Sequence, residues 1–120
     1  MIFTQNNKAI GNFGEDLAAS YLKNIGYKIL EQNFSCKQGE IDIICLDKNE
    51  IVFVEVKTRT NTNYGFPSEA VNNLKKKHIY NSAKYYVYIN NLYNEFIRFD
   101  VIEIYINNNK YKINHIKQII

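Results

Sequence analysis

Gly39-Glu40-Ile41-Asp42-Ile43-Ile44-Cys45-Leu46, then Asp47-Lys48-Asn49-Glu50, then Ile51-Val52-Phe53-Val54-Glu55-Val56-Lys57-Thr58-Arg59 is the stretch that decides the fold. Two apolar, β-branched runs on either side of four polar residues are the signal of a hairpin. A two-residue loop at Lys48-Asn49, with Asn supplying a residue tolerant of positive φ, sets the register. Asp47 then faces Glu50, Leu46 faces Ile51, Ile44 faces Phe53 and Asp42 faces Glu55. Directly opposed residues share a face, with Cβ atoms about 4.5–5.5 Å apart. Lys57, two residues beyond Glu55, lies on that face too. Two carboxylates about 5 Å apart repel by roughly 3 kcal/mol at an effective dielectric of about 20. A sheet gains nothing from such a pair unless a cation sits between them. A slip of one residue would put the two acids on opposite faces, so the inference rests on the turn.

The plainer reading is that Glu55 and Lys57 form a weak surface ion pair on a solvated strand. The flanking residues argue against it. Ile43, Val52, Val54 and Val56 are apolar on one face, and Ile44, Ile51 and Phe53 are apolar on the other. The charges interrupt an apolar pattern at one end of the hairpin, as a cleft would.

Before the hairpin, Lys8 to Ile25 has helical periodicity, with Ile10, Leu17, Ala18, Tyr21, Leu22 and Ile25 in one stripe. Gly14 falls inside that stripe. A glycine in mid-helix costs about 1 kcal/mol against Ala, so its presence predicts a close approach to something behind the helix. Gly26 is placed to stop the helix. Glu15 lies at the edge of the stripe and can reach a sheet edge, whereas Asp16 projects into solvent. The alternative for Glu15 is a first-turn acid favoured by the helix dipole.

Tyr27 to Phe34 reads as a first strand, joined to the hairpin through Cys36-Lys37-Gln38-Gly39. After the hairpin, Thr60 to Pro67 is a polar loop that leaves from the charged end. A second helix is predicted from about Asn72 to Ile89, with Leu74, His78, Ile79, Ala83, Tyr86 and Val87 on its apolar side. Lys75, Lys76 and Lys77 cluster in its first turns, where cations oppose the dipole. They suit an anionic partner or serve solubility alone. Phe96 to Ile106 alternates as a strand, with Arg98 and Asp100 on one face and Ile97, Phe99 and Val101 on the other. Asn107-Asn108-Asn109 is a turn, and Tyr111 to Ile120 reads as an edge strand or a short helix. His115 stands there as a residue more often satisfied structurally than used as a ligand.

At 120 residues the chain is one domain, with no repeat or linker. No apolar run is long enough for a bilayer, and the N-terminus lacks a secretory pattern, so a cytoplasmic protein without membrane contact is expected. Cys36 and Cys45 have neither metal-ligand spacing nor a disulfide framework, and Cys45 reads as a core thiol. The net charge of +3 permits nucleic-acid binding without establishing it.

Facing carboxylates at a strand end suit a hard divalent cation such as Mg²⁺ or Mn²⁺. The carbonyl of Val56 can add a third oxygen. Lys57 can orient a water and stabilise charge developing on phosphorus, and Glu15 can hydrogen-bond a bound water or help hold a second ion. Thr58, Arg59, Lys75, Lys76 and Lys77 can meet flanking phosphates. Together these are the parts that phosphodiester hydrolysis needs.

Glu15 on a first helix, Asp42 on a second strand and Glu55-Val56-Lys57 on a third resemble the PD-(D/E)xK nuclease superfamily. The blocks Gly14-Glu15-Asp16-Leu17-Ala18, Gly39-Glu40-Ile41-Asp42-Ile43-Ile44, Val52 to Arg59, Glu69-Ala70-Val71 and Arg98-Phe99-Asp100-Val101 resemble its YraN family over nearly the whole chain. Ile41 stands where the superfamily name has Pro, a position that carries no ligand. The resemblance implies an α/β fold: a mixed central sheet flanked by helices, with a restriction-endonuclease-like αβββαβ core and an antiparallel central hairpin. It also implies Asp42 and Glu55 as metal ligands, Lys57 as the water-positioning residue and Glu15 as an auxiliary acid. The family is similar in core layout to archaeal Holliday-junction resolvases, which permits a homodimer. The expected function is a Mg²⁺- or Mn²⁺-dependent endonuclease acting on nucleic acid, DNA before RNA, in structured or branched form. A nucleic-acid-binding module without turnover and a protein-interaction scaffold stand as alternatives, because a fold alone does not fix function.

Overall fold

The computed structural model describes residues 7–60 and 73–119. Its elements are α1 (Asn7–Asn24), β1 (Lys28–Cys36), β2 (Gly39–Asp47), β3 (Glu50–Thr60), α2 (Asn73–Ile89), β4 (Phe96–Asn107) and β5 (Lys110–Ile116). The strands form one sheet in the order β1-β2-β3-β4-β5. β3 and β4 are parallel and the other neighbours antiparallel. A parallel pair needs a crossover, and α2 supplies it. The αβββαβ order expected from the sequence is therefore present, and the last element is a strand rather than a helix. The Glu69-Ala70-Val71 block and the loop from Asn61 lie outside the described residues.

The expected pairs Asp47 with Glu50, Leu46 with Ile51 and Ile44 with Phe53 are present, and the ladder runs on to Ile43 with Val54 but stops before the expected pair of Asp42 with Glu55. The positive φ of the turn falls on Lys48 (56°), although the sequence suggested Asn49 for it. The two faces sort as the alternation requires. Ile43, Cys45, Val52 and Val54 pack with Ala18, Ala19 and Leu22 of α1. Ile44, Ile51 and Phe53 pack with Ile79, Ala83, Tyr86 and Val87 of α2. The helices thus cover opposite faces, α1 chiefly over β3 and α2 chiefly over β2. Burying these side chains contributes about 1.5–3 kcal/mol apiece, which holds the strand ends in place around the charges.

Gly26 closes α1. Its φ is 98°, the Tyr27 amide donates to the Leu22 carbonyl at 2.9 Å and the Gly26 amide to the Lys23 carbonyl at 3.0 Å, a Schellman ending. Ile25 lies past the last helical turn and is 45% exposed, so it is not part of the stripe. His78 is also exposed; its ring nitrogen sits 3.3 Å from the Gln38 carbonyl, at the rim of the sheet. Cys45 is buried, and burial pushes its thiol up to about 12, as befits a core residue.

Arg98 and Asp100 anchor the turn end of the hairpin. Arg98 donates from Nε and Nη2 to the two Asp100 oxygens at 3.0 and 3.1 Å. Its Nη1 reaches Asp47 at 2.9 Å and Glu50 at 3.2 Å, and Nη2 also reaches the Tyr27 hydroxyl at 2.8 Å. Asp100 further accepts His115 Nε2 at 2.7 Å and the Gln118 amide at 3.1 Å. Nδ1 of His115 is left for the Tyr21 hydroxyl at 2.9 Å. His115 is thus satisfied within the fold. Among the described residues, no helix is long and apolar enough to cross a membrane.

Candidate active site

The regular ladder between β2 and β3 ends at Ile43–Val54. From there β2 stays with β1, pairing Ile41 with Phe34 and Gly39 with Cys36. β3 stays with β4 through to Thr60–Ile106. The two central strands therefore separate, and Asp42 and Glu55 are the first residues at the parting. Asp42 fills it. Its Oδ2 accepts the Val56 amide at 2.8 Å, replacing the ladder bond that β2 no longer provides.

The parting has a local cause. Ile41 packs on the α2 face and Ile43 on the α1 face, though residues two apart in a regular strand share a face. The alternation breaks at Asp42. On β1, Asn33 lies between Gln32 and Phe34, which pair with Ile43 and Ile41, and it has φ 55°. Asn tolerates this left-handed conformation better than most residues. The irregularity is shared by two neighbouring strands, and it turns Asp42 into the gap between β2 and β3.

Glu15 meets it there, and the charge of its carboxyl bears on Asp42. The approach of α1 depends on Gly14, where a Cβ would overlap Thr58 Oγ1 and lie 3.0 Å from Thr58 Cβ. The close approach predicted from Gly14 is thus to Thr58 of β3. On the other side, the charge of Glu55 bears on Asp42 more strongly than that of Glu15 does. Lys57 Nζ stands 3.4 Å from Glu55 Oε1, and Glu55 is buried at 7% exposure. Asp16 is exposed.

Charge follows from this crowding. Burial, and then the neighbouring Glu55 and Glu15 carboxylates, push Asp42 up to about 8 against the pull of the Val56 amide. Burial also raises Glu15, its interaction with Asp42 opposes, and the charges of Asp16, Glu55 and Glu40 act in the same direction as burial. Three acids and the ammonium of Lys57 lie around the parting, and a proton on Asp42 relieves the repulsion it meets there. Among the described residues no three His, Cys, Asp or Glu side chains converge as a ready-made metal-ligand set. The donor chemistry nevertheless fits a hard cation: the oxygens are carboxylate, and an acid kept protonated by like charge is one that a divalent ion can deprotonate. Mg²⁺ commonly takes only one or two protein carboxylates and keeps its waters. Asp42 and Glu55 are the pair that would hold it, with the Val56 carbonyl adjacent.

The other predicted residues are more scattered. Thr58 lies under Gly14 of α1, against the helix. Arg59 is half-buried, with its Nε lacking a hydrogen-bond partner among the described residues. Lys76 is half-buried and Lys77 exposed in the first turns of α2, and the side chain of Lys75 lies outside the described residues. Glu103, fully buried on β4, belongs to the same region and was missed. The signal that exposed Glu55, a charge inside an apolar strand, was also present at Glu103, within Phe99 to Ile106.

Fold and site together define an α/β protein whose five-stranded mixed sheet carries an acid–lysine cluster where its central strands part. The sequence matches the model of the Uncharacterised protein family UPF0102 over residues 14–104. It is 56% identical over 114 residues to a UPF0102 protein of Clostridium botulinum (strain 657 / Type Ba4) and 54% identical over 114 residues to one of Caldanaerobacter subterraneus subsp. tengcongensis. A UPF0102 protein of Clostridium perfringens (strain 13 / Type A) is 51% identical over 113 residues. Each match covers 92% of this chain and 93% of the relative. The chain belongs to the UPF0102 family, the YraN family that its motifs resemble.

Proposed function

We propose that this protein is a Mg²⁺- or Mn²⁺-dependent endonuclease that hydrolyses phosphodiester bonds in structured or branched DNA. The observation that carries the reading is the meeting of Glu15, Asp42 and Glu55 at the parting of β2 and β3, with Lys57 3.4 Å from Glu55. A divalent ion held by Asp42 and Glu55 would supply Lewis acidity toward a phosphoryl oxygen and acidify a bound water. The chain's own residues do the rest. Lys57 brings a positive charge to the phosphoryl group and holds the attacking water in line. Glu15 accepts a hydrogen bond from that water or passes its proton outward. Arg59, Lys75, Lys76 and Lys77 neutralise flanking phosphates, and the Thr58 hydroxyl can donate a hydrogen bond to one. The protein works in the cytoplasm, on DNA in preference to RNA, and a homodimer would present two such sites to one branched substrate.

The test is cleavage of junction, flap and single-stranded DNAs, with matched RNAs, in Mg²⁺ or Mn²⁺. Wild type is expected to cleave and Asp42→Asn to lose at least two orders of magnitude in rate. Equal cleavage by both overturns the assignment. A second reading, a nucleic-acid-binding module without turnover, is favoured by the proton that Asp42 holds where a metal ligand would be ionised. Binding that weakens with salt yet ignores both metal and Asp42→Asn would support it.

A further inference from the structure

Glu103 is fully buried on β4. Its Oε1 accepts the Asn114 side-chain amide at 3.2 Å. Its Oε2 is buried and has no hydrogen-bond partner among the described residues. A carboxylate oxygen out of water and unpaired is costly, so a native structure that keeps one has a use for it.

The register shows what lies beside it. In the parallel ladder Glu103 pairs with Lys57, and Val101 with Glu55. Val101 packs on the α2 face, while Ile102 and Ile104 pack on the α1 face, so alternation puts Glu103 on the α2 face. Ile51 and Phe53 occupy that face on β3, and the same alternation puts Glu55 and Lys57 there. Neighbouring strands lie about 4.8 Å apart. The Lys57 ammonium, at 3.4 Å from Glu55, therefore has a second acid one rung to its side.

We infer that Glu103 is a positioning residue that takes the Lys57 ammonium when Glu55 is occupied by another cation. The inference rests on reading Glu55 as a metal ligand. A ligand that gives its lone pairs to a divalent ion can no longer hold a lysine, and two cations would then crowd one carboxylate. Lys57 has three donors on a flexible stem, and Glu103 offers a desolvated acceptor of opposite charge beside it. The transfer keeps the ammonium inside the pocket and charged, where the proposed reaction needs it.

Nuclear magnetic resonance of the lysine ammonium groups tests this without any metal, because Glu55→Gln removes the charge of Glu55 as an ion would mask it. Held ammonium protons exchange slowly enough with water to be seen, and Lys57→Arg assigns the signal. The Lys57 signal is expected to shift but persist in Glu55→Gln, and to exchange faster in Glu55→Gln/Glu103→Gln than in Glu55→Gln, with the backbone amide spectrum confirming the fold. Glu55→Gln/Glu103→Met, which fills the same space with no acceptor for Lys57, repeats the comparison if the first double variant unfolds. Loss of the signal in Glu55→Gln alone, or equal exchange in the single and double variants, overturns the inference. So does a response of the Arg59 Nε signal to the loss of Glu103 in place of Lys57. Failure of the metal reading looks different: Mg²⁺ would then leave the wild-type Lys57 signal unmoved while the variant series behaves as described.

Discussion

Asp42 Oδ2 accepts the amide of Val56 at 2.8 Å at the point where the ladder between β2 and β3 has stopped. One carboxylate oxygen does the work of a strand there, and the acid that does it is held near Glu55 and Glu15. Its pKa rises from 3.8 to about 8, by burial first and then by those neighbours. Between these values the folded protein holds a proton that the unfolded chain has released. The resulting stability is complete below the unfolded value and is lost as pH rises through about 8. Asp42→Asn keeps an acceptor for Val56 and has no proton to lose. Urea unfolding of the metal-free proteins at pH 5 and pH 8.5 is expected to show wild type falling with pH more steeply than the variant. The variant should be the more stable at pH 8.5 by roughly 1–3 kcal/mol. Parallel pH profiles would contradict this account of the acids.

Metal binding carries its own signature. A divalent ion must displace the proton that Asp42 holds, so binding at pH 7 should release about one proton. Calorimetry in two buffers of different ionisation enthalpy measures that release. Mg²⁺ or Mn²⁺ at about 100 times its dissociation constant should stabilise wild type by about 2.7 kcal/mol and leave Asp42→Asn unchanged. Binding with no proton release would mean the ion sits elsewhere.

The hairpin register was legible because each of its residues has one acceptable face, and Ile44–Phe53 and Ile43–Val54 could not be slipped without burying charge. Gly14 was legible for a related reason, since a residue that weakens a helix has to be repaid by what it touches. Asn33 was not. Its left-handed conformation is imposed by the bend that β1 and β2 share, and no spacing within β1 announces it. Glu103 was overlooked because its meaning comes from Lys57, a residue 46 positions earlier that only the parallel ladder brings alongside. Arg98 and Asp100 were placed correctly on one face, but their partners Tyr27, Asp47, Glu50 and His115 come from other elements, so the anchoring role needed the fold.

Gly14 gives a mechanical test of the site. A Cβ there would overlap Thr58 Oγ1 and press on Thr58 Cγ2 at 3.2 Å, and Thr58, being branched, has no rotamer that clears both. Gly14→Ala should push α1 off β3, draw Glu15 away from Asp42 and cost roughly 1–3 kcal/mol despite the gain in helix propensity. Thr58→Ala in the same chain should recover most of that loss, leaving only the 3.0 Å contact with Cβ to relax. A double-mutant cycle by thermal unfolding decides it, and additive effects would mean that the helix does not rest on Thr58.

Arg98 and Asp100 set the acid limit of the fold. Burial alone would raise Asp100, but hydrogen bonds from His115, Arg98 and the Gln118 amide outweigh it and hold the carboxyl below its ordinary value. The sign is opposite to that of Asp42. Stability from Asp100 is present above its unfolded value near 3.8 and is lost as pH falls through its lower folded value. Arg98→Met removes the guanidinium and strands a carboxylate that is almost wholly buried, which should cost about 3–5 kcal/mol at neutral pH. Arg98→Met/Asp100→Asn should recover part of that cost and unfold less steeply in acid than wild type. Circular dichroism followed from pH 6 to pH 2 separates the outcomes, because an unchanged acid limb in the double variant would mean that other carboxylates govern it.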